Sequence, residues 1–280
     1  IVDEQHRFGV KQRQKLQDKT PRTIPHFLSM TATPIPRTLT IALYGDLDIS
    51  IINEMPKDRL PIKTYYVSPQ KRDGAYDFVR KQIEAGRQAF VICPLIEESD
   101  KLGVRAATAE YEKLTREIFP EMKIGLLHGK LKPIEKQGAM EQFKDGETNI
   151  LVATAVVEVG VDIPNATIML IEGAERFGLS QLHQFRGRVG RGKHQSYCLL
   201  FTDSTSDNTK KRLQALVQSR DGFALAEKDL EQRGPGEVFG TQQSGIPDLR
   251  AASLTDLKLI KEARQAAAKI TGAGISKYPK

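Results

Sequence analysis

Cysteine and histidine are scarce in this sequence, which has two cysteines and five histidines among its 280 residues. Cys93 and Cys198 both lie in apolar, strand-like runs, where a free cysteine behaves as a small core residue. Neither cysteine has metal-ligand spacing, and the histidines are scattered along the chain. The sequence therefore argues against a zinc site and favours a reducing compartment such as the cytoplasm.

Long apolar runs are also missing. No run approaches the roughly 20 residues that a membrane-spanning helix needs. No signal peptide opens the chain. We therefore expect no membrane partner.

A phosphate-binding loop of the form Gly-x-x-x-x-Gly-Lys-Ser/Thr is a third absence. Such a loop cradles the β- and γ-phosphates of a nucleotide. The pair Gly129-Lys130 lacks both the leading glycine and the following hydroxyl. The chain also starts abruptly at Ile1, without Met, inside a strand-like run. We interpret it as a fragment of a longer protein.

Positive charge is abundant. The formal net charge is +7 and the pI about 9.3, which makes a polyanionic partner plausible. The 35 acidic residues are interspersed with 42 basic ones, so charge alone does not prove such a partner. The hydrophobic content of 39% is enough for one large or two modest cores.

Apolar runs and helical repeats alternate along the middle of the chain. The predicted strands are Lys63–Val67, Ala89–Ile96, Ile124–Gly129, Ile150–Val152, Thr167–Ile171 and Ser196–Phe201. The predicted helices between them are Asp73–Ala85, Ala106–Phe119 and Pro133–Phe143. This alternation is typical of an α/β fold with a doubly wound parallel sheet, whose ligands bind at the carboxyl ends of the strands.

The run Gln184-Phe-Arg-Gly-Arg-Val-Gly-Arg191 holds three arginines within six residues, spaced by glycines. Arginine presents a rigid fork of donors that fits phosphate oxygens, and glycine lets the backbone come close to a ligand. We interpret the run as an arginine-finger element for phosphoryl transfer. The alternative is a basic turn on a solvated face, and Arg186 is an equal candidate for a salt bridge.

Two polar segments near the start carry further candidates. Asp3 and Glu4 follow an apolar strand end, with His6 close behind. An aspartate there can hold Mg²⁺ through water, and a neighbouring glutamate can orient the attacking water. Thr31 and Thr33 end a second apolar run, where they can sense a nucleotide or join two lobes. A short acidic turn and a Pro-rich turn are the respective alternatives.

Other strand ends carry small polar groups. His128, Gly129 and Thr154 suit nucleic-acid phosphates, which position a strand without reading its sequence. Gly160 and Asp162 follow the fourth predicted strand in a tight turn. Asp162 can instead cap this turn, and Thr154 can bond locally.

These motifs resemble, in order, motifs II, III, V and VI of superfamily-two helicases. The matching stretches are Asp3–His6, Thr31–Thr33, Gly160–Pro164 and Gln184–Arg191. The resemblance implies two RecA-like lobes with ATP and Mg²⁺ between them. It makes Asp3 the Mg²⁺ residue, and it implies that the Gly160 and Asp162 region touches ATP or the opposite lobe.

The same resemblance assigns the arginine run. Arg188 and Arg191 match the arginines that reach the γ-phosphate when the lobes close, and Gln184 matches the first polar position of that motif. The family carries its phosphate-binding loop upstream of these motifs. We therefore expect the 280 residues alone to lack ATP hydrolysis.

The tail predicts two helices, Asn208–Ser219 and Phe223–Arg233, and a last one at Thr255–Lys269. The stretch Asp229–Gly245 resembles a translocation motif that the RecG family shares with the transcription-repair coupling factor. The resemblance implies that Arg212, Arg233 and Gln243 couple lobe closure to movement along duplex DNA. The alternative is a packing hairpin whose arginines cap helix ends.

Pro235, Glu237 and Gly245–Pro247 favour the RecG family. The resemblance then implies an ATP-dependent translocase that unwinds branched double-stranded DNA, such as forks and Holliday junctions, in recombination and repair. It also implies a monomer at the bacterial nucleoid, with an upstream lobe and wedge domain. The alternatives are the coupling-factor translocase and a DNA-binding module without catalysis.

The predicted domains are 1–56 (end of the first lobe), 57–203 (second lobe) and 204–280 (hairpin, loop and last helix). The Pro-broken polar stretch Asn53–Pro61 marks the first boundary.

Overall fold

A computed structural model describes residues 1–4, 26–32, 50–52, 54, 56, 59–94, 100–154, 162–233 and 257–273. The predicted site residues His6, Thr33, Gly160 and Gln243 lie outside these ranges. The chain divides into two compact units, one of Ile1–Ile51 with Asp221–Lys280 and one of Ile52–Arg220.

Six parallel strands form the sheet of the second unit. They are β1 (Lys63–Val67), β2 (Gln88–Ile92), β3 (Ile124–Leu127), β4 (Ile150–Ala153), β5 (Ala166–Ile171) and β6 (Tyr197–Phe201). Their order is β1-β6-β5-β2-β4-β3, and every neighbouring pair is parallel. Every residue of β2, β4 and β5 is buried, as expected of central strands that are covered on both faces.

The helices are α1 (Arg72–Glu84), α2 (Asp100–Lys113), α3 (Pro133–Lys144), α4 (Leu179–Arg186), α5 (Asp207–Gln218), α6 (Gly222–Arg233) and α7 (Leu257–Ala273). Short 3₁₀ turns cover Pro69–Lys71 and Ala174–Arg176, and a π turn, Leu114–Ile118, extends α2. Pro133 starts α3, where the Glu135 carboxylate accepts the Lys132 N–H at 2.7 Å. The start of α2 at Asp100 corrects the predicted start at Ala106, because the polar first turn carries no apolar repeat.

Alternate strand residues pack against different helices. Ala89 and Val91 of β2 join a core cluster with Tyr76 of α1 and Ala107 of α2. Phe90 faces the opposite side, where its ring centroid lies 4.9 Å from that of Phe143 in α3. Helices therefore cover both faces, and the predicted doubly wound parallel sheet is confirmed.

Candidate functional site

The acidic segment belongs to the first unit. Val2 forms a parallel bridge with Ser29, with hydrogen bonds of 2.8 Å from the Val2 N–H to the Leu28 carbonyl and from the Met30 N–H to the Val2 carbonyl. Because the two segments run parallel, Asp3 and Glu4 leave the bridge in the same direction as Thr31. The structure thus brings these three predicted residues to one end of the paired segments.

Glu4 has an unusual backbone. Its φ of 48° lies in the left-handed region, which a glutamate rarely adopts, and its N–H donates to Asp3 Oδ1 at 2.8 Å. Strained residues of this kind occur at ligand sites more often than elsewhere. This geometry favours the acidic pair as a candidate ligand site, and the role of the pair stays a prediction.

The arginine loop lies between α4 and β6. The Arg188 N–H donates to the Phe185 carbonyl at 3.0 Å, which closes the last turn of α4. Gly190 has a φ of +79°, and a Cβ on Gly192 would lie 2.5 Å from the Pro164 carbonyl oxygen. Both glycines are therefore required by the course of this loop, which positions Arg191.

Arg191 lies beside Asp162, so the structure brings two predicted site residues together. The Arg191 Nη1 to Asp162 Oδ1 distance is 3.6 Å, and Arg191 Nε donates to the Gly187 carbonyl at a long 3.4 Å. The Asp162 side chain is 64% exposed. Exposed ion pairs contribute about 1 kcal/mol or less, so a phosphate can replace Asp162 at low cost.

An open groove of about 610 Å³ adjoins Arg191 in the second unit. Its lining residues are Pro56, Arg59, Arg87, Pro164, Asn165, Arg191, Gly192, Lys193 and His194. None of these described lining residues is acidic, so the groove attracts anions. Sequence reasoning missed Arg59 and Arg87 because each precedes a different strand, and only the fold brings them together.

Arg186 differs from Arg191 because it does not line the groove. Its side chain is buried, and Nη1 donates to the carbonyls of Leu216 and Ser219 at 2.7 and 2.9 Å. Nη2 lies 2.9 Å from His183 Nδ1. Burial lowers the pKa of the Arg186 guanidinium. The cation is held by carbonyls at the end of α5, a favourable place for positive charge, rather than by a carboxylate.

Arg212 also forms hydrogen bonds within the protein. It lies on α5 and donates to the carbonyl of Phe177, at 2.6 Å, and to that of Glu175. These bonds are compatible with a coupling role and leave that role a prediction. Arg233 is the last residue of α6. Gln184 and Arg188 lie at the end of α4 and in the following loop, and both are partly exposed.

The predicted DNA-contacting residues lie at neighbouring strand ends. Leu127 of β3 pairs with Ala153 of β4, and the Thr154 N–H donates to the Leu127 carbonyl at 3.2 Å. His128 Nδ1 and the Thr154 hydroxyl are buried without a hydrogen-bond partner among the described residues. Unsatisfied buried polar atoms are few in proteins, so these two atoms indicate a candidate ligand site at this edge of the sheet. Gly129 contributes its carbonyl, which accepts from Lys136 Nζ at 2.7 Å.

A charged cluster at the carboxyl end of the sheet, in which Arg72 and Glu172 are largely buried and Asp203 is exposed, was not predicted. Arg72 Nη1 lies 3.0 Å from both Glu172 carboxylate oxygens, and Arg72 Nη2 lies 3.0 Å from Asp203. Burial and the nearby Glu110 raise the pKa of Glu172 to about 7, against the opposing effect of Arg72. Nothing in the sequence reveals this cluster, since its members come from separate elements.

Within the described ranges, no three His, Cys, Asp or Glu side chains group closely enough to hold a metal ion. The described helices include none with the length and apolar character for crossing a membrane.

Comparison with known proteins defines the class to which this fold and this arginine loop belong. The helicase conserved C-terminal domain family matches residues 71–193. The fold is also that of S. cerevisiae Dbp5 bound to RNA and ADP BeF3, at 16% identity and a TM-score of 0.53, over 82% of this chain and 61% of that one. The second unit therefore contains a helicase C-terminal lobe, and the RecA-like prediction is confirmed.

The particular family follows from closer relatives. The family "ATP-dependent DNA helicase RecG, domain 3, C-terminal" matches residues 219–276. The ATP-dependent DNA helicase RecG of Synechocystis sp. is 56% identical over 95% of this chain and 32% of its own length. That of Bacillus subtilis is 52% identical over 98% of this chain and 40% of its own length. The chain belongs to the RecG family.

A solved RecG structure agrees with this assignment. RecG bound to a three-way DNA junction has 42% identity and a TM-score of 0.70, over 93% of this chain and 33% of that one. The chain thus spans 32 to 40% of the length of the relatives cited here.

Proposed function

We propose that this chain is part of an ATP-dependent DNA helicase that moves along double-stranded DNA and remodels branched structures, in recombination and repair. The observation that carries the proposal is Arg191, which lies on an open cationic groove and is held by two long contacts, one to the exposed Asp162 carboxylate and one to the Gly187 carbonyl. A guanidinium in this setting is free to exchange its carboxylate for a phosphate.

The arginine loop supplies the phosphate side of the site. Arg188 and Arg191 are proposed to contact the γ-phosphate and stabilise the charge that spreads over its oxygens during transfer. Gln184, on the last turn of α4, is proposed to orient polar groups at the same site. Asp162 is proposed to hold Arg191 before the nucleotide arrives and to contact the nucleotide afterwards, in a region that includes Gly160.

The acidic segment of the first unit carries residues suited to Mg²⁺ and to the attacking water. Asp3 presents an exposed carboxylate, and Mg²⁺ in nucleotide sites is commonly held by one carboxylate, waters and phosphate oxygens, so the residue fits this ion. When bound, Mg²⁺ would neutralise charge on the phosphates. Glu4 is proposed to orient the attacking water, with His6, Thr31 and Thr33 linking this segment to the nucleotide state.

DNA contacts are proposed at the edge of β3 and β4. His128, Gly129 and Thr154 lie there, and the exposed Lys130 and Lys132 follow directly, so phosphates meet both polar groups and positive charge. Arg212, Arg233 and Gln243 are proposed to transmit lobe movement to the DNA. The RecG protein of similar sequence is bound to a three-way DNA junction, which supports branched DNA as the substrate.

The remaining parts of the proposal concern the whole protein. An upstream lobe with a phosphate-binding loop and a wedge domain would complete the motor. We propose that it acts as a monomer in the bacterial cytoplasm, at the nucleoid.

Arg191→Ala tests the proposal in the full-length protein. We expect DNA-stimulated ATP turnover to fall by about 10³–10⁵, because an arginine finger acts mainly in the transition state. Binding of a labelled three-way junction should not change. Phosphate release and fluorescence anisotropy measure the two quantities.

Arg116→Ala is the matched control, since Arg116 is an exposed arginine on the π turn, away from the groove. It should keep turnover within about twofold, as expected for a surface change. Near-normal turnover of the Arg191→Ala protein would refute the finger assignment.

A further inference from the structure

The ends of four neighbouring strands, β3, β4, β2 and β5, lie level with one another. Backbone hydrogen bonds of 2.8–3.2 Å continue the ladder at these ends, and each joins an N–H to a carbonyl of the next strand: Thr154 to Leu127, Cys93 to Ala153, and Glu172 to Ile92. The residues that follow these strands therefore lie side by side along one edge of the sheet. We call this edge, from His128 to Arg176, the carboxyl edge.

A short turn after β5 places Arg176 on the carboxyl edge. The Arg176 N–H donates to the Gly173 carbonyl at 2.9 Å, and Gly173 has a φ of +56°. A Cβ on Gly173 would lie 3.1 Å from Pro94 Cγ and 3.5 Å from Arg176 Cδ. The side-chain stem of Arg176 therefore packs over Gly173, close to Pro94, which lies two residues beyond the end of β2.

The charge of Arg176 is not neutralised within the described part of the chain. Arg176 is exposed, and none of the ion pairs among the described residues includes it. The nearby acidic groups are occupied or turned away: Arg72 pairs with Glu172 and Asp203 at 3.0 Å, and Glu175 Oε2 is buried. A full positive charge is therefore available to a polyanion at this point.

The other end of the carboxyl edge carries the DNA-contacting residues proposed above. His128 follows β3 and Thr154 follows β4, and each has a buried polar atom without a hydrogen-bond partner among the described residues. In the strand order, β5 is separated from β3 by three steps of one strand each. Neighbouring strands are about 4.8 Å apart, so these ends are separated by about 14 Å. One phosphate group does not span this distance, so DNA lying along the edge offers Arg176 a different phosphate.

We infer that Arg176 contacts a backbone phosphate of the DNA and extends the proposed contact surface from β3 and β4 across β2 to β5. The contact carries no base specificity, because phosphates position a duplex without reporting its sequence. The inference rests on the proposed helicase function, since it names a further residue for the same DNA. Arg176 belongs to none of the motifs recognised in the sequence, and only the alignment of the strand ends identifies it.

Two substitutions separate the charge of Arg176 from its packing. Arg176→Gln removes the charge and keeps a polar side chain, whereas Arg176→Lys keeps the charge on a flexible stem. Because Arg176 is exposed, both variants should keep the thermal midpoint of the parent protein.

The test measures binding of a fluorescently labelled three-way junction by the full-length protein without nucleotide. The association constant is determined by anisotropy between about 50 and 200 mM NaCl, because each phosphate contact adds to the salt dependence of binding. For Arg176→Gln we expect the slope of log K against log salt to decrease in magnitude by about 0.9, which corresponds to one lost phosphate contact. Arg176→Lys should keep the slope of the parent protein.

A second readout uses DNA-stimulated ATP hydrolysis. For Arg176→Gln the DNA concentration that gives half-maximal turnover should increase several-fold, while kcat at saturating DNA stays within about twofold of the parent value. A fall of kcat at saturating DNA with an unchanged half-maximal DNA concentration would contradict a role in DNA binding.

Arg116→Gln is the matched control for the salt dependence. Arg116 is also exposed, but it lies on the turn that extends α2, a helix that returns the chain toward the amino ends of the strands. The slope should stay at the parent value. An equal decrease in Arg116→Gln, an unchanged slope in Arg176→Gln, or a decrease in Arg176→Lys as large as that in Arg176→Gln would overturn the inference.

A double variant tests whether the two ends of the edge use separate phosphates. Lys130 is exposed beside His128. The double variant Arg176→Gln/Lys130→Gln should lose the sum of the slope changes of the two single variants, because separate contacts act independently. A loss smaller than this sum would show that both residues share one phosphate and would overturn the extended surface.

Failure of the proposed function itself gives a different result. In that case the parent protein would show no junction binding or no DNA-stimulated hydrolysis. Loss of the Arg176 contact leaves both of these parent properties intact.

Discussion

The degree of burial distinguishes arginines that look equivalent in the sequence. The three arginines of the run at 186–191 have the same chemistry and nearly the same neighbours, yet Arg186 is buried against α5 and Arg191 lies on an open groove. Arg212 and Arg186 reach carbonyls about 30 residues or more away in sequence. Contacts of this kind have no local pattern, so only the fold reveals them.

Glu172 leads to a prediction of pH dependence. Its pKa in the folded protein is about 7, whereas an unfolded glutamate titrates near 4.3. Between these values the folded state binds more protons than the unfolded state, so the free energy of unfolding should fall as pH rises from about 4.5 to 7. Glu172→Gln should remove this part of the dependence, as measured by thermal unfolding of the 280-residue chain at pH 5 and pH 8.

Glu121→Gln is the control for that measurement. Its pKa is lowered by the hydrogen bond from Arg80, so this carboxyl group is already ionised throughout the window. The substitution should leave the difference between pH 5 and pH 8 as it is in the parent. Equal pH dependence in the Glu172→Gln and parent chains would contradict the proton uptake assigned to Glu172.

Among the elements, the strands were the most predictable part. The prediction for β1 has the observed bounds Lys63–Val67, because β-branched and aromatic residues cluster there. The predicted strand Ala89–Ile96 extends past the end of β2 at Ile92, since the apolar run of the sequence continues beyond that residue. The π turn at Leu114–Ile118 was missed, because periodicity alone does not distinguish it from the helix it extends.

The loop after α4 permits a test of its close packing. Gly192→Ala would place a Cβ 2.5 Å from the Pro164 carbonyl oxygen, and a backbone atom cannot move away as a side chain can. We expect a loss of about 1–3 kcal/mol in the free energy of unfolding, as for overpacked sites. Urea denaturation of the 280-residue chain measures this change.

Gly138→Ala serves as the matched substitution. Gly138 lies inside α3, and no atom lies within 4 Å of its added Cβ. Alanine is the better helix former, so a gain of about 0.5–1 kcal/mol is expected. Similar effects of the two substitutions on the free energy of unfolding would show that the loop accommodates the added Cβ without loss of stability.

For the whole molecule, the sequence predicted the class of fold better than it predicted how separate loops assemble, and the roles of the candidate residues stay predictions. The order of motifs pointed to a helicase, and the alternation of strands and helices pointed to the parallel sheet, since both are local patterns. The cationic groove required Arg59, Arg87 and Arg191 to converge from separate loops. The charged cluster around Glu172 has the same origin. The predicted domain limits at 56 and 203 stay a prediction.

The isolated chain should not hydrolyse ATP. Its sequence holds no phosphate-binding loop, so the β- and γ-phosphates lack the backbone N–H groups that position them. We expect phosphate release by the purified 280 residues to equal the buffer blank, with or without junction DNA. The full-length protein, assayed at the same molar concentration, provides the positive control. Turnover above the blank by the isolated chain would show that these residues position the phosphates by another route.

The edge position of β1 has a consequence for biosynthesis. Lys63 pairs with Tyr197, so among the described strands the first in sequence pairs with the last. While the ribosome is still making the intervening helices, β1 has no partner within this sheet. Pairings between segments so distant in sequence close slowly. In the nascent chain, β1 therefore stays unpaired until β6 has been synthesised. A chaperone that binds exposed strands would act mainly during that interval.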